Sequence, residues 1–147
     1  MSDSGVELPI QRSDPALPLP EYARPGDAGL DLRAADAVTL APGQRALVPT
    51  GLRLVVPEGH AGLVLPRSGL ALKRGVTVLN APGLIDAGYR GEIQVLLINH
   101  GSDPVTLERG ERVAQLVIQP VARARPVAVE RLPDSARGEG GFGSTGS

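Results

Sequence analysis

The chain has 147 residues and a formal net charge of −1, enough for one domain with a real core and without the general pull toward nucleic acid or anionic membranes that a basic chain carries. Hydrophobic residues make up 41% but aromatics only 2%, so the core must be aliphatic. With no cysteine and only His60 and His100, disulfides, thiolate metal sites and an all-histidine zinc site within one chain are excluded.

Gly (19) and Pro (14) recur at regular intervals, which points to an all-β fold of many short strands. Residues 1–20 lack the basic start and apolar run of a targeting signal, and no stretch reads as a membrane span, so a cytoplasmic protein is expected. A first strand is expected over 6–12. An irregular, extended stretch follows to Gly26, holding Pro15, Pro18, Pro20 and Pro25. In GDAGLDLRA (26–34), Leu30 and Leu32 fall on one face and Asp31 on the other. Asp31 is either a solvated strand residue or a carboxylate aimed at a ligand. Short strands over 38–40, 45–48 and 52–56 are set off by turns at 42–43, 50–51 and 57–59, the spacing of a sandwich or barrel. Residues 63–65 lead into PRSGLALKR (66–74), a short helix entered at Ser68. Ser68 is either a plain N-cap or, with the planar fork of Arg67 beside it, part of an anion site.

The stretch NAPGLIDAGYRGE (80–92) lies between strand-like runs at 76–79 and 93–98. Pro82, Gly83, Gly88 and Gly91 make it a tight hairpin or a lobed turn. It presents Asn80, Asp86 and Tyr89, although the chain holds only two other aromatics, Tyr22 and Phe142. This is either an ordinary turn, with Asp86 as a turn residue and Tyr89 exposed, or a rigid pocket for a flat polar ring with a reacting group beside it. After a turn at 109–112, VAQLVIQP (113–120) sets Ala114, Leu116 and Ile118 on one face and Val113, Gln115 and Val117 on the other. Gln115 is a lone amide there, either bridging to backbone or holding a water or substrate. A last strand is expected over 127–132.

The end, RGEGGFGSTGS (137–147), contains a formal G-x-G-x-x-G at Gly138, Gly140 and Gly143, but no helix follows, so it is no dinucleotide fingerprint. It is either a linker-like tail or a flexible arm. As an arm, its backbone N–H groups can nest around phosphate, Arg137 can pair with a terminal phosphate, and Phe142 can stack on a base. Two units are therefore expected: a β domain over 1–136 and a glycine-rich C-terminal arm over 137–147.

Five segments in this order resemble the five motifs of the trimeric dUTPases, over nearly the whole chain: AGLDL (28–32), PRSGLA (66–71), NAPGLIDAGYRGE (80–92), GERVAQL (110–116) and RGEGGFGSTG (137–146). Leu84 departs from the polar or smaller residue often found after that glycine, and Glu111 stands where Asp is common. The resemblance implies a jelly-roll-like β domain with one short helix, a homotrimer with active sites shared between subunits, and Mg²⁺-dependent cleavage of dUTP to dUMP and pyrophosphate. It implies that Asp86 deprotonates the attacking water, that Gln115 helps hold it, and that Asp31 meets the metal through water. Arg67, Ser68 and Gly69 would bind the phosphates, Asn80 would read the uracil edge, and Tyr89 would pack under the deoxyribose. The arm would close the site, with Phe142 on uracil and Arg137, Gly143, Ser144 and Thr145 around the β- and γ-phosphates. Two rivals stand beside it: the related dCTP deaminases, whose corresponding turn differs and which lack this arm, and a non-catalytic trimer that uses a nucleotide pocket as a switch for a protein partner.

Overall fold

In a computed structural model, which describes residues 5–143, 145 and 146, ten strands and one helix follow each other along the chain. They are β1 (Ile10–Arg12), β2 (Leu30–Arg33), β3 (Val38–Leu40), β4 (Arg45–Leu54), β5 (His60–Leu65), α1 (Ser68–Arg74), β6 (Val76–Val78), β7 (Gly83–Ile85), β8 (Glu92–Asn99), β9 (Val105–Leu107) and β10 (Arg112–Pro120). One sheet runs β1-β4-β8-β6, a second β2-β10-β5-β7, and β3 pairs with β9 alone. Every pairing is antiparallel. The architecture is jelly-roll-like and all-β. Alternation drives it: in β8, Ile93, Val95, Leu97 and Asn99 turn inward while their neighbours face out. The core between the sheets is aliphatic, with Leu32, Val48, Val95, Leu97 and Leu116 among its most buried members, whereas Tyr22, Tyr89 and Phe142 all lie at the surface. Asn99, fully buried, has its amide satisfied by the Leu40 and Asp103 carbonyls and the Gly101 N–H. No helix among the described residues is long and apolar enough to cross a membrane.

Several local expectations are corrected. The first strand is confined to Ile10–Arg12. The turn expected at 50–51 is an irregularity inside β4, where the register against β8 shifts between Pro49 and Arg53. The strand survives it because the buried Thr50 hydroxyl donates to the Ile93 carbonyl and accepts from the Leu52 N–H, and Gly51 takes a φ of +72°. Of the two forms expected for residues 80–92, a tight hairpin or a lobed turn, the chain takes the lobe. Their flanks β6 and β8 pair with each other, but the chain between them leaves that sheet and adds β7 to the edge of the other. Arg67, not Ser68, is the N-cap of α1, and no side chain caps it. In β10 the strict alternation fails at its start: a register shift between Arg112 and Ala114 drives both Val113 and Ala114 into the core. Strand β9 was not expected, since a three-residue apolar run gives little period to read.

The strand expected over 127–132 is absent. Val127 and Leu132 are 63% and 76% exposed, and the segment lies between Pro126 and Pro133. An alternating pattern makes a strand only when a neighbour supplies the ladder, and this segment has none. Among the described residues the last hydrogen bond from this end of the chain to the strands' connecting loops is Val121 N–H to the Gly59 carbonyl. Beyond it the hydrogen bonds and the Arg131–Asp134 ion pair join tail to tail.

Candidate functional site

The lobe after β6 makes the first cluster. Asn80, Gly83, Leu84, Asp86 and Tyr89 line one cleft of about 280 Å³, with Leu47 of β4 and Gln94 of β8 across from them. Asp86 sits just past β7 and opens a turn closed by the Tyr89 N–H on its own carbonyl, 3.1 Å. Its exposed carboxylate makes no hydrogen bond or ion pair among the described residues, so it remains free to accept a proton or bind water. The Tyr89 ring is held from two sides. Its hydroxyl donates to the Glu92 carbonyl at 2.9 Å, and the ring lies against Gly91 so closely that a methyl there would overlap it. Gly91 is thus required for the ring's position. Arg90 braces the turn from outside by donating to the Ala87 and Tyr89 carbonyls.

The second cluster spans β2, β10 and the end of β5. Asp31 is paired across the ladder with Gln115, which is in turn opposite Leu65. Gln115 gives one amide N–H to the Pro66 carbonyl at 2.9 Å, which leaves its other N–H and its Oε1. That amide lies against Gly29, where a methyl would collide with Oε1. The glycine of AGLDL is therefore a seat for Gln115. The Asp31 carboxylate faces Arg67 at 4.0 Å and Arg112 at 3.3 Å. Ser68 and Gly69 open α1 and are exposed beside Arg67. Asp31 and Arg112 also line a larger cavity, about 580 Å³, walled by the proline-rich stretch 16–23. Arg112 lay inside the GERVAQL segment without an assigned role; the signal that would have found it is the register shift, which the sequence does not display.

The two clusters belong to opposite sides of one sheet. In the order β2-β10-β5-β7, Asp31 is on one edge strand and Asp86 follows the other, three strand spacings or roughly 14 Å apart across the sheet and further offset along it, since Asp31 is level with Leu65 while Ile85 is level with Gly62. None of Asp31, Arg67, Ser68 or Gln115 lines the cleft that holds Asn80, Asp86 and Tyr89. The arm joins neither. Phe142 is fully exposed, and among the described residues the Arg137 side chain donates only to the Gly140 carbonyl. Gly143 and Thr145 are likewise in the tail, and Ser144 lies outside the described residues. The donor set suits one metal arrangement and not another. Among the described residues no three His, Asp or Glu side chains gather into a cage. A single, largely buried carboxylate among arginines instead fits a Mg²⁺ carried on substrate phosphates and reached through water.

A family model described as dUTPase matches residues 16–146. Deoxyuridine 5'-triphosphate nucleotidohydrolases are close in sequence. That of Thermobifida fusca (strain YX) is 61% identical over 142 residues, 96% of this chain and 79% of the relative. That of Anaeromyxobacter sp. (strain Fw109-5) is 63% identical over 137 residues, 93% of each. Among solved structures, a dUTPase of Staphylococcus bacteriophage 80alpha with dUpNHpp superposes with a TM-score of 0.89 at 30% identity, covering 96% of this chain and 99% of that one. A dUTPase of the S. aureus phage phi11, solved for the coordination of a structural Mg(II) ion, gives 0.79 at 26% identity over 86% of this chain and 98% of its own.

Proposed function

Since the chain belongs to the dUTPase family, we propose that its two clusters are the two ends of one nucleotide site, completed between copies of the chain. The reaction is hydrolysis of dUTP to dUMP. The observation that carries the division of labour is the convergence of Asn80, Asp86 and Tyr89 on one cleft that contains none of the phosphate-side residues. The amide of Asn80 and its neighbouring backbone read the edge of the uracil. Tyr89, fixed by Gly91 and Glu92, stacks under the deoxyribose where a 2′-hydroxyl would clash. Asp86 takes the proton of a water that attacks the α-phosphorus. The bond to the α–β bridging oxygen breaks, and pyrophosphate leaves.

On the phosphate side, Arg67, Ser68 and Gly69 hold the chain of phosphates, and Gln115, oriented by its bond to Pro66, offers its remaining groups to the attacking water. A Mg²⁺ bound with the triphosphate would supply charge neutralisation, and Asp31 would hold it through water. The arm over 137–147 closes on the β domain over 1–136. Phe142 covers the base, and Arg137, Gly143, Ser144 and Thr145 surround the outer phosphates. A homotrimer, with the lobe of a site from one chain and its arm from another, accounts for the separation of the clusters within one chain and for a tail whose described residues bond only to one another. The test is pyrophosphate release from dUTP, dTTP, dCTP and UTP. Release from dUTP alone is expected; ammonia from dCTP, or pyrophosphate from all four alike, overturns the reading.

A further inference from the structure

The register shift in β10 has a consequence for the phosphate side. With Gln115 opposite Asp31 and Ala114 opposite Leu32, an unbroken ladder would set Val113 opposite Arg33, on the face that carries Asp31. The shift places Arg112 opposite Arg33 instead, while Val113 is 1% exposed in the core. One inserted residue thus exchanges a valine for a guanidinium beside Asp31 and Gln115. The exchange closes a ring of three residues. Arg112 Nε lies 3.3 Å from Asp31 Oδ2, Arg67 Nε lies 4.0 Å from Asp31 Oδ1, and Arg67 Nη1 donates to the Arg112 carbonyl at 3.3 Å. The Asp31 side chain, 15% exposed, therefore has a close partner and a looser one.

We propose that Arg112 is a positioning residue of the phosphate site: it keeps Asp31 paired, so that Arg67 can turn from Asp31 to the polyphosphate. The inference rests on the functional reading above. A largely buried carboxylate deprived of its only counter-ion is costly. If Arg67 were that only counter-ion within the chain, turning it to the phosphates would leave Asp31 without a direct ion-pair partner, and Arg67 would be held back. With Arg112 on the other oxygen, Asp31 keeps a charge-assisted partner while Arg67 moves.

The experiment is a double-mutant cycle read by calorimetry, with the imido analogue dUpNHpp and with dUMP as ligands, Mg²⁺ present throughout. Arg112→Met, which keeps the length but not the charge, should weaken dUpNHpp binding about 10- to 100-fold, the worth of a hydrogen bond to a charged group. Binding of dUMP, which lacks the outer phosphates, should change by less than about 3-fold, well under one such bond. Arg112→Lys should fall between the two. In an Asp31→Asn background, adding Arg112→Met should cost less than about 3-fold, because the charge it serves is gone. Equal losses with and without the Asp31 charge would mean that Arg112 contacts phosphate directly, and equal losses on dUMP and dUpNHpp would mean a general structural defect; either overturns the proposal. If Arg112→Met does not fold, the same cycle with Arg112→Lys decides. A wild-type chain that fails to bind dUpNHpp would count against the functional reading itself, whereas normal wild-type binding with an additive cycle removes only the role of Arg112.

Discussion

The lobe over 80–92 and the tail over 137–147 are both glycine-rich, and each carries one aromatic ring, yet they are built on opposite principles. In the lobe two of the three glycines are pressed by neighbours, Gly83 against Val64 and the Asn80 amide and Gly91 against the Tyr89 ring, while Gly88 at the turn is open. In the tail, a methyl added at Gly138 or Gly141 would meet nothing within 4 Å, and Phe142 is fully exposed. Glycine in the first case allows close approach; in the second it withholds constraint. The lobe is thus a cleft already formed in the chain alone. Among the described residues the tail bonds only to itself. A base-and-sugar pocket that is preorganised and a phosphate lid that is not would let one site be both selective and open to product release.

The largest effect should come from the lobe's chemistry. Asp86→Asn keeps shape and polarity but removes the proton acceptor, so turnover of dUTP should fall by roughly 10²–10⁴-fold, the range of general acid–base catalysis. Binding of dUpNHpp should persist. Near-normal turnover would take Asp86 out of the reaction.

Removing residues 137–147 tests the other side of the comparison. No strand is lost, and the described tail residues beyond Val121 bond only to one another. The melting temperature without ligand should therefore be unchanged, while turnover falls on the order of 10²-fold from lost positioning of the phosphates. A truncated chain with full activity would reduce the tail to a linker. Mixing the truncated chain with Asp86→Asn by co-refolding then asks where the two regions meet. If lobe and arm of a site come from different chains, some sites in a mixed trimer hold an intact Asp86 and an intact arm, and activity should rise well above either parent. Demonstrated hetero-oligomers with no such rise would place lobe and arm of a site in the same chain.

What the sequence made legible in these regions follows the range of the interactions. The two-residue period of β2 put Asp31 opposite in face to Leu30 and Leu32, and Leu32 is fully buried. The punctuation of 80–92 marked the lobe, and its three polar side chains do share a cleft. Contacts across the chain were not readable. That Gly29 seats Gln115 requires β2 and β10 to be adjacent, and no local pattern says so. The displacement of Val113 inward and of Arg112 toward Asp31 depends on one extra residue in a ladder, where strict alternation misleads. At 127–132 the valines alternate as a strand would, but a strand is a relation between two segments, and this chain alone offers no second one.

A smaller effect separates packing from recognition within the lobe. In Gly91→Ala the added methyl meets the far end of the Tyr89 side chain, which can swing away, so the backbone need not move. The stability cost should be about 1 kcal/mol, close to the worth of the lost hydrogen bond to the Glu92 carbonyl. Selectivity should suffer more: with the ring displaced, kcat/KM for UTP should rise relative to dUTP, as it should in Tyr89→Ala. An unchanged ratio in both variants would show that the ring does not read the sugar.

The smallest effect is expected at Gly141, and it completes the contrast with Gly91. A methyl there meets nothing within 4 Å, and its backbone is not in the left-handed region. Gly141→Ala should leave the melting temperature unaltered, a change within about 0.5 kcal/mol. Its effect should appear only when ligand orders the arm. Replacing glycine by alanine narrows the states the free arm can visit, which is worth about 0.4–1 kcal/mol. Affinity for dUpNHpp should therefore tighten by roughly 2- to 5-fold, provided the closed arm keeps this residue at negative φ. Affinity for dUMP, which offers the arm no outer phosphates, should stay the same. A melting temperature lowered as far as in Gly91→Ala would mean that the tail is packed on the body before ligand arrives, and the distinction between a preformed lobe and an unplaced tail would fall.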